Sequence, residues 1–293
     1  MKKLISSISV IIPVYNESEV IKEVMDHLKS FLDKQKDIVY EIICVNDCST
    51  DNSLQILQSI KFITVVSHKK NRGYGAALKS GINHAQNEII LIMDSDGQHK
   101  VEDIPKILKP LTDGYDMSVG SRSIINTKKS RVLGKVVIHK LANYLIKSQI
   151  PDINSGFRCF YREESIKYLH LCSERFSFTT SITMAYLQEH KDIMYTPIKV
   201  HNRTTGESQV NYKSGLRTLL KIIQIVMVFN PLRVLLPIVA LFMILSSISL
   251  GYDIANENLT DTTVLFSVTT VMVFVFSLIS DQLSTLRREL WVK

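Results

Sequence analysis

Two long apolar windows near the end of the chain set the strongest limit on how it can fold. Residues 234–252 and 262–280 each run for 19 residues without a charged side chain. A helix needs about 20 such residues to cross the hydrocarbon core of a bilayer. A buried core helix is the alternative for either window alone, but two windows in tandem favour a transmembrane helical hairpin.

The charges around these windows predict how such a hairpin lies in a membrane. The segment between them, 253–261, carries only acidic charges. Basic side chains stand on both outer sides of the hairpin, namely Lys213, Arg217, Lys221, Arg233, Arg287, Arg288 and Lys293. Basic residues collect on the cytoplasmic side of membrane proteins. We therefore expect both termini and the preceding domain to be cytoplasmic, and we predict no nucleic-acid partner.

Residues 1–212 alternate between apolar strand-like runs and helix-like segments. The predicted strands are 7–14, 38–45, 62–67, 89–93, 115–120 and 193–200. This alternation predicts an α/β domain with a mostly parallel, Rossmann-like sheet and helices on both faces. The N-terminus resembles a signal peptide, but Pro13 and Glu17 interrupt its apolar run, so we interpret it as the first strand. Asn16 or Ser18 is expected to cap the helix that follows.

Two basic helical segments are predicted outside this strand pattern. Residues 131–148 form one of them. Residues 213–230, just before the hairpin, have the pattern of an amphipathic helix that lies at the lipid interface. A surface helix packed on the domain is the alternative for this second segment. Residues 231–293 then contain the two transmembrane helices and a short basic tail.

Two carboxylates follow the most apolar of the predicted strands. Residues 89–93 are followed by Asp94 and Asp96, and open α/β sheets bind ligands at the carboxyl ends of their strands. Residues two apart on an extended chain point the same way. Asp94 and Asp96 are therefore able to share one hard cation, Mg²⁺ or Mn²⁺, with Gln98 and His99 within reach. The alternative is a solvated loop whose aspartates cap the next helix.

A glycine-containing loop follows the third strand. Gly73 and Gly75 resemble part of a dinucleotide-binding fingerprint, but the third glycine is displaced to Gly81. We favour the interpretation that these glycines serve a tight turn and close helix packing. The four cysteines, Cys44, Cys48, Cys159 and Cys172, show no paired spacing, and we expect them to be reduced.

Four short motifs occur in order along the chain. They are Pro13-x-Tyr15-Asn16-Glu17, Asn46-Asp47-Cys48-Ser49-Thr50-Asp51, Asp94-x-Asp96-Gly97-Gln98-His99 and Ser155-Gly156-Phe157-Arg158. Together they resemble glycosyltransferase family 2, which has the GT-A fold. With the paired C-terminal helices, the chain is most similar to polyprenyl-phosphate glycosyltransferases such as dolichol-phosphate mannosyltransferase and bactoprenol glucosyltransferase.

The resemblance implies a donor site with a divalent cation. The residues that would bind a nucleotide-diphospho-sugar are Pro13, Tyr15, Glu17, Asp47, Asp94 and Ser95. Asp94, Asp96 and Gln98 would hold Mg²⁺ or Mn²⁺, and Asp96 is also assigned to catalysis. Within this set Glu17 would accept hydrogen bonds from the ribose hydroxyls.

The resemblance also implies a phosphate site for a lipid acceptor. Arg122 and Arg203 match arginines that face phosphates, and both are assigned to catalysis and to the acceptor phosphate. A guanidinium fork suits a phosphate better than a lysine does. Arg158 lies inside a strand-like segment, so we interpret it as a structural residue. A surface charge or ion pair is the alternative for Arg122 and Arg203.

Two positions depart from the family pattern. Cys48 stands where the family often has glycine, so we expect this turn to avoid a strict glycine geometry. Gln209 stands where a lysine often follows the loop arginine, and Lys213 is the candidate replacement at the acceptor phosphate.

The implied activity is inverting transfer of one sugar to an undecaprenyl or dolichyl phosphate. A non-catalytic nucleotide-sugar-binding scaffold or flippase subunit is one alternative, against which Asp94, Asp96 and Gln98 argue. A processive polysaccharide synthase is another, but its Gln-x-x-Arg-Trp motif is missing, since the only tryptophan is Trp291 in the tail. The sugar, the nucleotide base and the lipid are left open, as is assembly into a homo-oligomer.

Overall fold

The computed structural model describes most of the chain. The described residues are 5–122, 151–152, 155–172, 174, 178–198, 220, 223–224, 226–227 and 230–292. The chain divides into two compact units, the first made of residues 1–135 and 148–214 and the second of residues 136–147 and 215–293. The predicted helix at 131–148 and most of the predicted helix at 213–230 lie outside the described residues.

The first unit contains seven strands and six α-helices within its described residues. In chain order they are β1 (Ser7–Val14), α1 (Ile21–Leu32), β2 (Val39–Asn46), α2 (Ser53–Ser59), β3 (Thr64–Ser67), α3 (Tyr74–His84), β4 (Ile89–Ile92), α4 (Ile104–Thr112), β5 (Met117–Arg122), β6 (Arg158–Tyr161), α5 (Arg162–Tyr168), α6 (Phe178–Gln188) and β7 (Ile193–Ile198). The strands form one sheet in the order β3-β2-β1-β4-β6-β5-β7.

The sheet is mostly parallel, as predicted. Strands β3, β2, β1 and β4 pair in parallel, and so do β5 and β7. Only β6 runs the other way, between β4 and β5. Because β6 is antiparallel to both neighbours, β5 and β7 run in the same direction as β4. The carboxyl ends of six strands therefore meet at one edge of the sheet.

Side-chain alternation along β1 places helices on both faces of the sheet. Val10 and Ile12 join one buried cluster with Met25 and Leu28 of α1. Ile11 points to the other face, where α3 packs so closely that a Cβ on Gly81 would overlap the Ile11 side chain. Gly73, at the start of α3, has φ +99°. The glycines thus serve a turn and close helix packing, as predicted.

The start of α1 differs from the prediction. The helix begins at Ile21, and its N-cap residue Val20 makes no side-chain capping hydrogen bond. The Asn16 side chain has a different partner, because its Oδ1 atom accepts a hydrogen bond from the Thr50 backbone N–H at 2.8 Å. The prediction that Asn16 or Ser18 caps this helix is therefore wrong.

The second unit contains a hairpin of two long helices, α7 (Pro231–Ala255) and α8 (Asp261–Val292). Both are long and apolar enough to cross a membrane, and only 11% of each apolar window is buried. Hydroxyl pairs join them, with Ser246 Oγ 2.7 Å from Ser267 Oγ. At the turn Asp253 accepts a hydrogen bond from the Thr260 N–H. The hairpin contains both predicted windows.

Candidate active site

The loops that follow β1 and β2 lie side by side at the carboxyl edge of the sheet. Pro13 is buried near the end of β1, and it pairs in register with Val45 of β2. Tyr15, just beyond β1, is 47% exposed. Glu17 lies deeper, because its backbone N–H donates to Ser53 Oγ at 2.9 Å. Tyr15 is therefore the most accessible of the three residues expected from the first motif to bind the nucleoside.

Hydrogen bonds from one loop to the other hold this pair of loops together. The Asp51 carboxylate accepts from the backbone N–H of Ser18 at 3.0 Å and from that of Ser53 at 3.0 Å. Burial by itself would raise the pKa of Asp51, but the hydrogen bonds from Ser53 and Ser18 outweigh it and lower the pKa to about 2. The charged form of Asp51 is therefore the one that stabilises the fold.

Asp51→Asn is expected to destabilise the protein at neutral pH by about 1 kcal/mol. This is less than the roughly 1.5–3 kcal/mol of hydrogen bonds to a charged group, because Asp51 is partly exposed and the asparagine oxygen can still accept. The folded-state pKa of Asp51, about 2, lies below its ordinary value of 3.8. The stabilisation is thus complete above about pH 4 and is lost as the pH falls toward 2. Thermal unfolding of the wild type and the variant across this pH range measures this difference in stability.

Asp37→Asn is the control for this prediction. Asp37 is exposed, so its substitution should change stability little. A constant difference down to pH 2 would contradict the assignment.

Asp47 is buried and is held by the segment that leads into α3. It is 3% exposed, and its Oδ1 and Oδ2 atoms accept from the backbone N–H groups of Arg72 at 2.9 Å and Gly73 at 2.7 Å. His68 Nδ1 lies 2.7 Å from Oδ1, and His68 Nε2 lies 2.9 Å from Ser80 Oγ. Asp47 therefore orders the loop after β3, in addition to its predicted role at the nucleoside.

The turn after Asp47 corrects one expectation. Cys48 has φ +59°, in the left-handed region that glycine adopts most easily. The prediction that this turn avoids the glycine geometry is wrong, because Cys48 adopts a left-handed backbone conformation that is strained for a residue with a side chain. The four cysteines are free thiols, as expected for a reduced protein.

Asp94 lies just beyond β4 and is held by side chains from two other segments. The hydroxyl of Tyr74, the first residue of α3, donates to Asp94 Oδ1 at 2.8 Å. His99 Nε2 lies 3.3 Å from Asp94 Oδ2, and the His99 ring stacks on Phe157 with centroids 5.0 Å apart. The Asp94 side chain is nevertheless 30% exposed. Asp94 is thus fixed in orientation and still accessible.

Asp96 occupies the turn that follows. Its Oδ1 atom accepts from the backbone N–H of Gln98 at 3.1 Å, and Gly97 has φ +70°. Ser95, between the two aspartates, is 6% exposed. Within the described residues no group of three or more His, Cys, Asp and Glu side chains is arranged to hold a metal ion.

The fourth motif meets Asp94 because β6 runs antiparallel to β4. Ile92 pairs with Arg158, so Gly156 falls opposite Asp94. A Cβ on Gly156 would lie 2.6 Å from Asp94 Oδ1 and closer still to Oδ2. The absence of a side chain at Gly156 is therefore what leaves space for the Asp94 carboxylate.

Arg158 is structural, as predicted from its place in a strand. It is fully buried and donates to the Thr179 carbonyl at 3.0 Å, to Thr183 Oγ1 at 2.9 Å and to the Ser155 carbonyl. Burial lowers the pKa of its guanidinium. These bonds tie β6 and the Gly156 segment to α6.

The predicted phosphate-binding residues are only partly placed. Arg122 is the last residue of β5, at the same edge of the sheet as Asp94 and two strands away, roughly 10 Å at the usual strand spacing. The Arg122 side chain, and the whole of Arg203 and Lys213, lie outside what the structure describes. Their roles stay predictions.

Sequence reasoning missed Tyr74, which contacts Asp94 across 20 positions of the chain. In the sequence, the feature that could have indicated Tyr74 was its position between Gly73 and Gly75, but that loop was interpreted as a tight turn. His99 was noted as near Asp94, but its stacking on Phe157 was not anticipated. Gly156 was part of a motif without an assigned role.

A mostly parallel sheet with an Asp-x-Asp turn at its carboxyl edge is the architecture expected of a GT-A glycosyltransferase. Residues 9–169 match the model of glycosyl transferase family 2, and residues 230–286 match that of the GtrB C-terminal hairpin. The first match covers more than half of the chain. The protein belongs to glycosyl transferase family 2.

Curated relatives agree with this family. The human dolichyl-phosphate beta-glucosyltransferase is 30% identical, and the match covers 72% of this chain and 72% of the relative. An undecaprenyl-phosphate 4-deoxy-4-formamido-L-arabinose transferase of Edwardsiella ictaluri is 30% identical over 75% of this chain and 66% of the relative. An uncharacterized protein of Methanocaldococcus jannaschii is also 30% identical, over 74% of this chain and 90% of the relative.

Solved structures agree on the fold. Glucosyl-3-phosphoglycerate synthase from Mycobacterium tuberculosis, crystallised with Mn²⁺, UDP and phosphoglyceric acid, superposes with a TM-score of 0.61. The match covers 75% of this chain and 78% of that one at 18% identity. The same enzyme was also crystallised with Mg²⁺ and UDP. These neighbours support the GT-A architecture.

Proposed function

We propose that this protein is a membrane-bound inverting glycosyltransferase that moves one sugar from a nucleotide-diphospho-sugar to a polyprenyl phosphate. The observation that carries the proposal is the combination, in one chain, of a GT-A site around Asp94 and Asp96 with a long apolar helical hairpin. The relatives named for transfer to dolichyl and undecaprenyl phosphate support the same acceptor class.

The residues at the β4 turn fit a divalent cation. Asp94 and Asp96 offer carboxylate oxygens and Gln98 an amide oxygen, which are ligands that Mg²⁺ and Mn²⁺ prefer. The absence of a Cβ at Gly156 leaves room for the Asp94 carboxylate, which is partly exposed. A cation bound there would supply positive charge that stabilises the departing nucleoside diphosphate.

The donor would lie along the carboxyl edge of the sheet. Exposed Tyr15 offers a flat ring for the nucleoside, and Pro13, Glu17 and Asp47 line the same corner. Ser95 and Asp94 would face the diphosphate end, because they follow β4, the strand next to β1. The anomeric carbon then points away from the nucleoside, toward β6 and β5.

Arg122, Arg203 and Lys213 would bind the acceptor phosphate. One phosphate oxygen of the lipid attacks the anomeric carbon, the bond to the diphosphate breaks, and the configuration inverts. A phosphate is already ionised at neutral pH, so the reaction needs no strong general base. Catalysis then rests on positioning and on charge stabilisation.

The hairpin would hold the enzyme at the membrane where its acceptor lies. The basic residues on both outer sides of the hairpin favour a cytoplasmic catalytic domain and cytoplasmic termini. The product would be a lipid-linked monosaccharide on the cytoplasmic leaflet.

Sugar transfer by the purified full-length protein in detergent tests this proposal. Radiolabelled UDP-glucose, GDP-mannose and other nucleotide sugars are each supplied with Mn²⁺ or Mg²⁺ and undecaprenyl phosphate. We expect one donor to yield a single-sugar product that partitions into organic solvent, and we expect no product with undecaprenol, which lacks the phosphate. Donor binding without transfer would favour a scaffold instead. A water-soluble polymer would favour a processive synthase.

A further inference from the structure

The loop of residues 71–75, called the bridging loop below, connects the two aspartate motifs of the site. At one end, Asp47 accepts the backbone N–H groups of Arg72 and Gly73 at 2.9 and 2.7 Å. At the other end, the Tyr74 hydroxyl donates to Asp94 Oδ1 at 2.8 Å. Consecutive residues of one short loop thus contact the carboxylates that follow β2 and β4.

A third contact anchors the bridging loop from outside. Glu174 accepts the Ala76 backbone N–H on its carbonyl oxygen at 2.8 Å. Its carboxylate also pairs with the Arg72 guanidinium at 3.0 Å. The start of α3 is therefore held at several points, and Tyr74 projects from a segment with a defined position.

Asp94 is restrained on three sides. Tyr74 contacts one carboxylate oxygen, His99 lies 3.3 Å from the other, and Gly156 closes the space beside both. His99 is itself held by stacking on Phe157. Because Tyr74 and His99 contact different oxygens, rotation of the carboxylate would break a hydrogen bond.

We propose that Tyr74 is a positioning residue, whose hydroxyl fixes the Asp94 carboxylate in the orientation that binds the metal–nucleotide complex. This inference rests on the proposed function, because it takes Asp94 as a ligand of that complex. Hydrogen-bonded partners of a ligating carboxylate typically contribute ten- to a hundredfold to metal affinity or activity. The bridging loop thereby gains a role besides that of a turn.

Tyr74 suits this role by its geometry, because its hydroxyl donates to Asp94 Oδ1 at 2.8 Å from the first residue of α3. A phenylalanine would fill the same space and lack only this donor.

The test compares Tyr74→Phe with Tyr168→Phe in the full-length protein. The control also loses a hydroxyl that donates to a carboxylate, since Tyr168 bonds Glu164 at 3.0 Å, outside the site. Mn²⁺ binding in the presence of UDP is followed by electron paramagnetic resonance, alongside kcat, donor KM and the thermal unfolding midpoint. We expect Tyr74→Phe to weaken Mn²⁺ binding about tenfold or more and to lower kcat at limiting Mn²⁺ by a similar factor. Tyr168→Phe should match the wild type in Mn²⁺ affinity and in kcat.

The outcomes separate this inference from the proposed function. If the wild type binds Mn²⁺ with UDP and Tyr74→Phe binds it equally well or more tightly, the positioning role is overturned and the proposed function stands. Tighter binding would mean that the hydroxyl only reduces the charge of Asp94. If the wild type itself binds no Mn²⁺ in the presence of any nucleoside diphosphate, the proposed metal site fails and this inference fails with it.

Discussion

Asp96→Asn is expected to reduce sugar transfer at least a hundredfold while leaving the fold intact. The substitution removes a negative oxygen ligand from the proposed cation site, and it lies in a turn where little packing is lost. The hydrogen bond that Asp96 accepts from the Gln98 backbone N–H can be kept by the asparagine oxygen. The effect should therefore fall on catalysis rather than on stability.

Initial rates of lipid glycosylation at saturating donor, together with the thermal unfolding midpoint, measure this effect. Asp113→Asn is the matched control. Asp113 is exposed at the end of α4, just before the amino end of β5, and so lies at the opposite edge of the sheet from Asp96. A variant that keeps more than about a tenth of wild-type activity has lost less than ~1.4 kcal/mol of transition-state stabilisation. Such a result would rule out Asp96 as an essential metal ligand.

Gly156→Ala is expected to inactivate the enzyme through Asp94, although residue 156 offers no functional group. The new Cβ would lie 2.6 Å from Asp94 Oδ1 and 2.8 Å from Asp94 Cγ. Non-bonded carbon and oxygen atoms do not approach this closely, so the carboxylate must leave the position in which it contacts Tyr74 and His99. A displacement of about 1 Å in a positioned group can cost on the order of a hundredfold in rate.

Turnover number and Mn²⁺ affinity of Gly156→Ala report this displacement directly. Gly251→Ala provides the control, because nothing lies within 4 Å of a Cβ at that position. The crowded substitution is also expected to destabilise the protein by about 1–3 kcal/mol, and the thermal midpoint shows whether the variant is still folded at the assay temperature. Wild-type turnover in Gly156→Ala would mean that the position of Asp94 has no catalytic importance.

Much of this architecture was predictable because it follows from local patterns. Apolar runs bounded by polar turns placed six of the seven described strands of the first unit to within a few residues, and β-α alternation predicted their parallel direction. The antiparallel strand β6 was not among the predicted strands. The hairpin followed from the length of two uncharged windows. The turn with Asp94 and Asp96 was predicted because two carboxylates directly follow the apolar run of residues 89–93.

Local patterns were less informative about the ends of elements. Asn16 looked like a helix cap in the sequence, yet its side chain contacts Thr50 of the neighbouring loop. Cys48 was expected to avoid the glycine geometry, yet it adopts φ +59°. At Asn16 a hydrogen bond between two loops that are distant in sequence outweighed the preference of the single residue.

The sequence alone determined the fold class, the family and the edge of the sheet where the site lies, because these depend on periodicity and on motifs in order. The tertiary structure decided which residues hold Asp94. Tyr74 reaches it from the start of α3, which Asp47 holds at this edge of the sheet. Gly156 faces it because β6 is antiparallel to β4. Such contacts depend on strand order and register, which are settled by packing across the whole sheet and leave no local signature in the chain.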